Sequence, residues 1–293
     1  MRAQVEQFLG GSVIRVAGQN GGFSQGIAAR LLLDSGTRAF VKAIPTAGNP
    51  ESVRLVLREA EVAAALPEFL PVPRLLTTIQ AGGWIALLFT DQPGRTVPVP
   101  WTTSDTSTVL DAIAILSESC TPSPVSDLPA WGGPLSNWPG WRSMADPPDW
   151  LDPCWFRHLD TLTELEAQFP DAVAGSALLH SDLRSDNIIL AADGVFFVDW
   201  AWAARGQGWV DTLIFALCGA VEGMPEPETV FASTPAGITA DPAAVDSVLA
   251  ALAGRFARAA GQPAPGMERL RAFQRDEARV ALNWLATRRR WII

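Results

Sequence analysis

The chain has 293 residues, of which 48% are hydrophobic and 18% charged, so it is long enough for two lobes and has the composition of a soluble globular enzyme. Its net charge of −9 argues against nucleic acid as a partner, because nucleic-acid-binding domains present a basic surface. The longest uncharged apolar run, near residues 213–221, is shorter than the roughly 20 residues of a membrane span, which argues against a membrane partner and favours the cytoplasm.

Short β-forming runs separated by turns occupy the amino-terminal part of the chain. Strands are predicted at 12–17, 27–33 and 39–44, and the turn at 18–26 is dense in glycine. Glycine at such a turn lets backbone N–H groups approach a phosphate closely, because no side chain obstructs them. The pattern therefore predicts a small β-rich region with a loop that is suited to phosphate.

Lysine is used only once in the chain. Of the 22 basic residues, 21 are arginine and one, Lys42, is lysine. A strong arginine bias indicates a coding bias, so a solitary lysine indicates a position where arginine will not serve. Lysine carries a compact point charge, whereas arginine carries a wide planar fork. Lys42 lies in the third predicted strand and is a candidate functional residue.

A helix is predicted at 51–66, where apolar side chains recur at helical spacing. Two acids on it, Glu59 and Glu61, differ in direction around the helix axis by about 200°. Only one of them can therefore face Lys42. Beyond this helix, residues 84–89 predict a buried strand and residues 90–94 a hinge.

From about residue 92 the chain is rich in alanine and predicts mainly helices, at 103–117, 152–169, 212–221, 242–260 and 266–290. Residues 222–241 are predicted to form a loop. The segment 121–153 is rich in proline, glycine and tryptophan, and two interpretations remain open for it. It could be a lid whose rings cover the substrate, or an irregular segment that packs its tryptophans on the large lobe.

The polar residues between 180 and 199 carry the clearest chemical signal. An Asp-Gly pair at Asp193 between two β-forming runs predicts a hairpin, and Asn187 and Asp199 lie six residues to either side. We expect their side chains to face each other at its open end, where they could hold Mg²⁺ together with phosphate oxygens. Asp182, five residues before Asn187, can accept a proton from an incoming hydroxyl. Together these groups predict phosphoryl transfer.

Four polar residues resemble, in order and spacing, the catalytic loop and metal-binding aspartate of protein-kinase-like folds: His180, Asp182, Asn187 and Asp199. The Asp-Trp sequence at 199–200 and the later Asp211 resemble the aminoglycoside phosphotransferase (APH) family rather than the protein kinases. That family's motif begins His-Gly-Asp, and Ser181 replaces the glycine here.

The resemblance implies an α+β, two-lobed protein-kinase-like fold. Residues 1–91 would form a small antiparallel β-rich lobe with one helix, and residues 92–293 a larger, mainly helical lobe for catalysis and substrate binding. It also implies a role for each residue of the motif: Asp182 as the catalytic base, Asn187 and Asp199 as Mg²⁺ ligands, and His180 and Asp211 as supports of the catalytic loop.

For the nucleotide, the resemblance implies that Lys42 binds phosphate and that Glu59 aligns it, with Glu61 as the competing acid. The glycine-dense turn resembles the family's phosphate loop and adds Gly22 and Ser24. The backbone around Phe89 and Asp91 would hydrogen-bond a purine edge, which leaves ATP and GTP both open.

For the acceptor, antibiotic kinases of this family hold substrate amines with carboxylates from the carboxy-terminal helices and from the loop after the hairpin. The candidate carboxylates by region are Glu222, Asp276 and Glu277, and Trp202 is a further candidate for the acceptor site. The resemblance predicts an ATP-dependent or GTP-dependent kinase that phosphorylates an antibiotic or an amino sugar. Such an acceptor is a small hydroxylated molecule, and the negative net charge of the chain is compatible with a cationic one. The alternatives are a metabolic kinase for choline, homoserine or a sugar, and an inactive nucleotide-binding module.

Overall fold

A computed structural model describes residues 1–19, 26–47, 49–133, 140–144, 148–263 and 268–292. The chain divides into two compact units, the first formed by 1–97 with 186–202 and the second by 98–185 with 203–293. The predicted division at 91/92 follows the order of elements along the chain, whereas the compact units follow contacts. For that reason the predicted hairpin belongs with the amino-terminal sheet, and the lobe boundary at 91/92 stays a prediction.

The first unit contains an antiparallel sheet of five strands. Along the sheet their order is β1, β2, β3, β5, β4, where the strands are β1 Val13–Gly18, β2 Ile27–Leu33, β3 Arg38–Pro45, β4 Leu75–Ala81 and β5 Trp84–Thr90. Strand β5 is apolar and buried at its interior positions, which places it as an inner strand. Strand β4 was not predicted, because two central threonines interrupt its apolar pattern.

Two helices pack in this unit, α1 Arg2–Leu9 and α2 Pro50–Ala65. The side chain of Asn49 caps α2 by accepting a hydrogen bond from the N–H of Glu51 at 2.9 Å. After α2, the guanidinium of Arg74 donates to four backbone carbonyls between residues 66 and 70 and so fixes the end of the helix. The prediction of one helix omitted α1, whose only buried residue is Val5 and whose apolar pattern is correspondingly weak.

A second, smaller sheet in the first unit contains the predicted hairpin. Its strands are β6 Arg95–Thr96, β8 Ile188–Ala191 and β9 Gly194–Phe197, and β8 lies in the middle. Ala191 pairs with Gly194, so the turn has two residues, 192 and 193. Neither turn residue has a positive φ, so this is not one of the primed turns that two-residue hairpins favour. Gly194, with a φ of +144°, follows the turn as the first residue of β9.

The second unit is mainly helical. Its elements are α3 Thr103–Ser119, α4 Leu159–Ala172, β7 Ala177–Leu179, β10 Ala204–Gly206, α5 Val210–Val221, α6 Pro227–Ala232, α7 Pro235–Thr239, α8 Pro242–Ala260 and α9 Glu268–Arg289. Helix α8 packs against both α4 and α9 and contributes a run of buried small and branched side chains. Small residues let neighbouring helices approach closely, so α8 is the centre of this core.

Two predicted elements of the second unit differ in the structure. Residues 222–241 contain the short helices α6 and α7, and the side chain of Thr234 caps α7 by accepting from the N–H of Gly237. Helices this short have too few residues for an apolar period to be visible. The helix predicted at 152–169 begins as a separate 3₁₀ turn, Pro153–His158, capped by Asp152.

The tryptophan-rich segment packs on the core of the second unit. Trp131 and Trp141 are buried there, Trp150 is partly buried against the same cluster, and Trp138 lies outside the described residues. The indole N–H of Trp141 donates to the backbone carbonyl of Ala250 on α8 at 2.8 Å. For these three rings the packing interpretation agrees with the structure. Over the described ranges, no helix is long and apolar enough to cross a membrane.

Candidate functional site

The ammonium group of Lys42 lies between two carboxylates of the first unit. Its Nζ atom is 2.7 Å from Oε2 of Glu59 on α2 and 3.0 Å from Oδ1 of Asp199 after β9. Glu59 lies on the buried face of α2, whereas Glu61 is exposed and pairs with Arg58 at 3.8 Å. Of the two acids left open by the sequence, Glu59 is therefore the one that contacts Lys42.

Electrostatics keep this lysine charged. Burial by itself lowers the pKa of Lys42, but the negative charges of Glu59 and Asp199 together outweigh it and leave the pKa above its usual value. Burial raises the pKa of Glu59, and the charge of Lys42 opposes that rise. A permanently charged ammonium, held from two sides, is a suitable group for binding phosphate oxygens.

The hairpin brings Asn187 and Asp199 into neighbouring positions, but not into the predicted register. Ile188 pairs with Phe197, and the N–H of Val198 donates to the carbonyl of Asn187 at 3.0 Å, so Asn187 lies opposite Val198 rather than Asp199. The prediction centred the turn on Asp193, whereas the observed turn is centred between residues 192 and 193. The predicted pairing of Asn187 with Asp199 was therefore wrong by one residue.

The backbone of Asp199 compensates for this offset in part. Its φ is +65°, in the left-handed region that non-glycine residues rarely adopt. A residue in this conformation leaves the alternating pattern of the strand, so its side chain is redirected, here to the ammonium of Lys42. Strained backbone of this kind is typical of functional positions.

The chemistry of the pair suits a hard cation that arrives with a nucleotide. Asn187 is buried and supplies an amide, and Asp199 supplies a carboxylate. Within the ranges that the structure describes, no group of three or more His, Cys, Asp or Glu side chains is arranged to hold a metal ion. Mg²⁺ on a nucleotide takes most of its ligands from phosphates and water, so one carboxylate and one amide fit it better than a complete protein cage would.

In the second unit, Asp211 fixes the backbone of the predicted catalytic loop. Its two carboxylate oxygens accept from the N–H groups of His180, at 2.7 Å, and Ser181, at 2.8 Å. His180 is fully buried, and its Nδ1 atom accepts from the N–H of Asp182 at 3.3 Å. These bonds determine the direction in which the chain presents Asp182.

Ser181 has a φ of +67°, which explains the glycine of the family motif at this position. A side chain is tolerated here at the cost of backbone strain. The Oγ atom of Ser181 is buried and has no hydrogen-bond partner among the described residues. This departure from the motif therefore changes local stability and leaves the contacts of Asp211 intact.

Arg184 and Glu222 hold the loop from the other side. The Nη1 atom of Arg184 lies 2.8 and 3.0 Å from the two carboxylate oxygens of Asp182. Glu222 accepts from the Ser185 hydroxyl at 2.6 Å and from the indole N–H of Trp101 at 2.8 Å. No local sequence pattern identifies Ser185 and Trp101 as partners of Glu222, because they lie 37 and 121 positions away from it.

The sequence model of the phosphotransferase enzyme family (APH) matches residues 21–273. The chain belongs to this family. The match includes Lys42, Glu59 and the whole segment from His180 to Asp211. The predicted family membership is therefore confirmed, and the protein is a phosphotransferase by family.

Solved structures of kinases have the same fold as this phosphotransferase. A thermostable mutant of aminoglycoside phosphotransferase APH(4)-Ia, in complex with ADP and hygromycin B, is 14% identical with a TM-score of 0.63, covering 99% of this chain and 98% of that one. A choline/ethanolamine kinase family protein from Mesorhizobium loti is 15% identical with a TM-score of 0.57, covering 98% of both chains.

A third similar structure is amicoumacin kinase hAmiN with AMP-PNP, Ca²⁺ and Ami, at 14% identity and a TM-score of 0.55 over 90% of this chain and 88% of that one. At such low identity these similarities establish the fold alone, and they confirm the predicted kinase-like α+β architecture. No match to the chain was found among curated protein sequences.

Four further residues of the phosphotransferase were predicted to bind the nucleotide, and two of them, Gly22 and Ser24, lie outside the described residues. Phe89 is buried between β3 and β4. The carboxylate of Asp91 is occupied by Arg30 at 2.6 Å and Arg38 at 3.0 Å. Any contact of Phe89 or Asp91 with a purine would thus have to be made by backbone groups, as predicted.

The four predicted acceptor residues differ in exposure and in their partners. Glu222 is engaged by Ser185 and Trp101 as described above, and Glu277 is buried on α9. Asp276 is half exposed and pairs with Arg279 at 3.2 Å. Trp202 belongs to the first unit, in the turn after Asp199, and is partly exposed. Their roles in acceptor binding stay predictions.

Proposed function

We propose that this phosphotransferase is an Mg²⁺-dependent kinase that transfers the γ-phosphate of ATP, or of GTP, to a hydroxyl group of a small molecule. The observation that carries the proposal is the placement of the chain's single lysine between Glu59 and Asp199. A largely enclosed ammonium aligned by one acid, next to a second acid suited to a metal, is the arrangement that a nucleotide's phosphates require.

Each residue has a distinct part in this reaction. Lys42 binds the α- and β-phosphates, and Glu59 directs it. Asn187 and Asp199 hold Mg²⁺, which when bound neutralises charge on the phosphate oxygens. Asp182 orients the acceptor hydroxyl and takes its proton as the oxygen attacks the γ-phosphorus.

Phosphoryl transfer to the acceptor exchanges one P–O bond for another. A new P–O bond forms to the acceptor, and the bond between the γ-phosphorus and the β-phosphate oxygen breaks. The acceptor's proton passes to Asp182, and a nucleoside diphosphate leaves with the electron pair of the broken bond. His180 and Asp211 support the loop: Asp211 accepts from the N–H groups of His180 and Ser181, and Nδ1 of His180 accepts from the N–H of Asp182.

The acceptor belongs to the class of small hydroxylated molecules. The similar structures carry hygromycin B and amicoumacin or belong to a choline/ethanolamine kinase family, which supports antibiotics, amino sugars and amino alcohols as the first compounds to test. An antibiotic acceptor would make the protein a resistance determinant, and a metabolic acceptor would not. We place the reaction in the cytoplasm, where nucleoside triphosphates and Mg²⁺ are abundant.

The experiment that tests the proposal is nucleotide turnover with a panel of such acceptors, read by the mass of the phosphorylated product. Asp182→Asn should lower turnover by about 10²-fold to 10⁴-fold, since a positioned base contributes that much, and it should leave nucleotide binding in place. Asp193→Asn, in the turn of the hairpin, is the control that should keep full activity.

A catalytically inactive nucleotide-binding module gives a different result. It would bind nucleotide with no turnover that depends on Asp182, whichever acceptor is supplied. Turnover with a product of increased mass, lost in Asp182→Asn and kept in Asp193→Asn, would exclude that alternative. Removing Mg²⁺ with a chelator should abolish the same turnover.

A further inference from the structure

Arg184 encloses one side of the Asp182 carboxylate. One nitrogen, Nη1, lies 2.8 Å from Oδ1 and 3.0 Å from Oδ2, so it contacts both oxygens. Only 13% of the Arg184 side chain is exposed. Exposed ion pairs restrain their partners little, because solvent screens them and the side chains move. This pair is largely enclosed, so the guanidinium restricts how the carboxylate can rotate.

On its other side Arg184 lies against α9. Its Cζ atom is 5.9 Å from the centroid of the Phe273 ring, within the range of a cation–π contact. Helix α9 thus meets the guanidinium with an aromatic ring.

Glu277 lies one turn further along α9 and is buried. Only 5% of it is exposed, and the Cys218 thiol on α5 donates to its Oε1 atom at 3.6 Å. Burial raises the pKa of Glu277 to about 8, against the opposing charges of Arg184 and Arg255 and with the charge of Asp182 adding to the rise. A carboxyl with this pKa is mostly protonated near neutral pH, so we assign the α9 contact of Arg184 to Phe273.

We propose that Arg184 is a positioning residue for Asp182, and that the Phe273 ring on α9 holds Arg184 in turn. The inference rests on the proposed function, in which Asp182 takes the proton of the acceptor. In this arrangement Phe273 acts through the direction of the Asp182 carboxylate and not through contact with the acceptor. Its loss should therefore lower kcat and leave the KM for the acceptor unchanged.

The test uses the full-length protein with Mg²⁺ and ATP and no acceptor, so that water takes the place of the hydroxyl and no substrate need be known. Arg184→Gln should lower the Asp182-dependent hydrolysis rate by about tenfold, as expected for loss of a charged hydrogen bond, with the nucleotide KM unchanged. Arg184→Lys should keep part of the rate, because one ammonium can still contact the carboxylate. Arg275→Gln, on the exposed face of α9, is the matched control.

A second pair of variants tests α9. Phe273→Leu keeps an apolar side chain and removes the aromatic ring, and Phe273→Tyr retains a ring in case the leucine variant does not fold. We expect Phe273→Leu to lower the hydrolysis rate by about threefold in the wild-type background and to have no further effect in Arg184→Gln. Circular dichroism and thermal unfolding verify that each variant is folded.

Three results can be told apart. Equal hydrolysis by wild type and Asp182→Asn would refute the proposed function, and the inference would fall with it. Asp182-dependent hydrolysis that Arg184→Gln leaves intact would overturn the inference alone. A Phe273 effect that persists undiminished in the Arg184→Gln background, or that changes only the KM of a later-identified acceptor, would show that Phe273 does not act through Arg184.

Discussion

Two largely enclosed cations lie beside functional carboxylates in this protein, and their surroundings are built differently. In the first unit, Lys42 on β3 meets Glu59 from α2 and Asp199 from the end of the hairpin, so three separate elements contribute. In the second unit, Arg184 contacts both carboxylate oxygens of Asp182, which is only two residues away in the chain. A point charge with donors to spare suits a phosphate, whereas a guanidinium on both oxygens of one acid suits positioning.

The two regions also share a feature. Asp199 and Ser181 are non-glycine residues with φ values of +65° and +67°, and each stands at or beside a functional carboxylate. In the first unit the strained residue itself carries the functional group, so the strain cannot be relieved without losing it. In the second, the strained residue precedes the functional one, so the strain and the function can be separated by mutation.

The largest effect should come from exchanging the cation of the first unit. Lys42→Arg should lower kcat/KM for nucleotide by about 100-fold, because a planar fork cannot fit between Glu59 and Asp199 and still present a donor to phosphate. The reverse exchange on the same strand, Arg38→Lys, is the control and should change turnover little. Steady-state kinetics at varied ATP concentration measures both. Near-normal activity of Lys42→Arg would mean that the single lysine has no special part.

A smaller effect is expected from Glu277, a buried acid of the second unit. With its pKa raised to about 8, folded Glu277 keeps a proton that the unfolded chain releases above the usual value near 4.5. Wild type should therefore lose stability as the pH rises from about 5 to about 8. The free energy of unfolding of Glu277→Gln, relative to wild type, should increase over that window by about 3 to 4 kcal/mol.

Urea unfolding at pH 5 and pH 8.5 measures this difference. The exposed acid Glu164 on α4 supplies the control, since Glu164→Gln should show the same difference from wild type at both values. If the free energies of unfolding of Glu277→Gln and wild type changed equally between the two pH values, the pKa of Glu277 would not be raised in the folded protein.

The smallest effect concerns the strained backbone. Ser181→Gly should raise the free energy of unfolding by about 1 kcal/mol, because glycine accepts a positive φ and because a buried hydroxyl without a partner is removed. Ser185→Gly should do the opposite, since it removes the bond to Glu222. Calorimetry of the two variants gives the comparison. A destabilised Ser181→Gly would indicate that the hydroxyl has a partner, such as a water molecule.

Local patterns in the sequence were sufficient for the secondary elements that carry the chemistry. The strand of Lys42, the helix of Glu59 and the hairpin after Asn187 follow from apolar periodicity and from an Asp-Gly turn, because each is a property of neighbouring residues. Short or weakly patterned elements such as α1, α6 and α7 were missed for the same reason, since too few residues carry their signal.

The amino-acid sequence by itself determined the family, the kinase-like fold and the list of polar residues from His180 to Asp211, since these depend on residue type and spacing. Only the tertiary structure decided between Glu59 and Glu61, set the register of the hairpin and engaged Arg184, Glu222 and Glu277 within the second unit. These outcomes depend on which side chains meet across distant parts of the chain and on where a two-residue turn is centred. Spacing along the sequence does not encode them, because they are fixed by packing and by the geometry of the backbone.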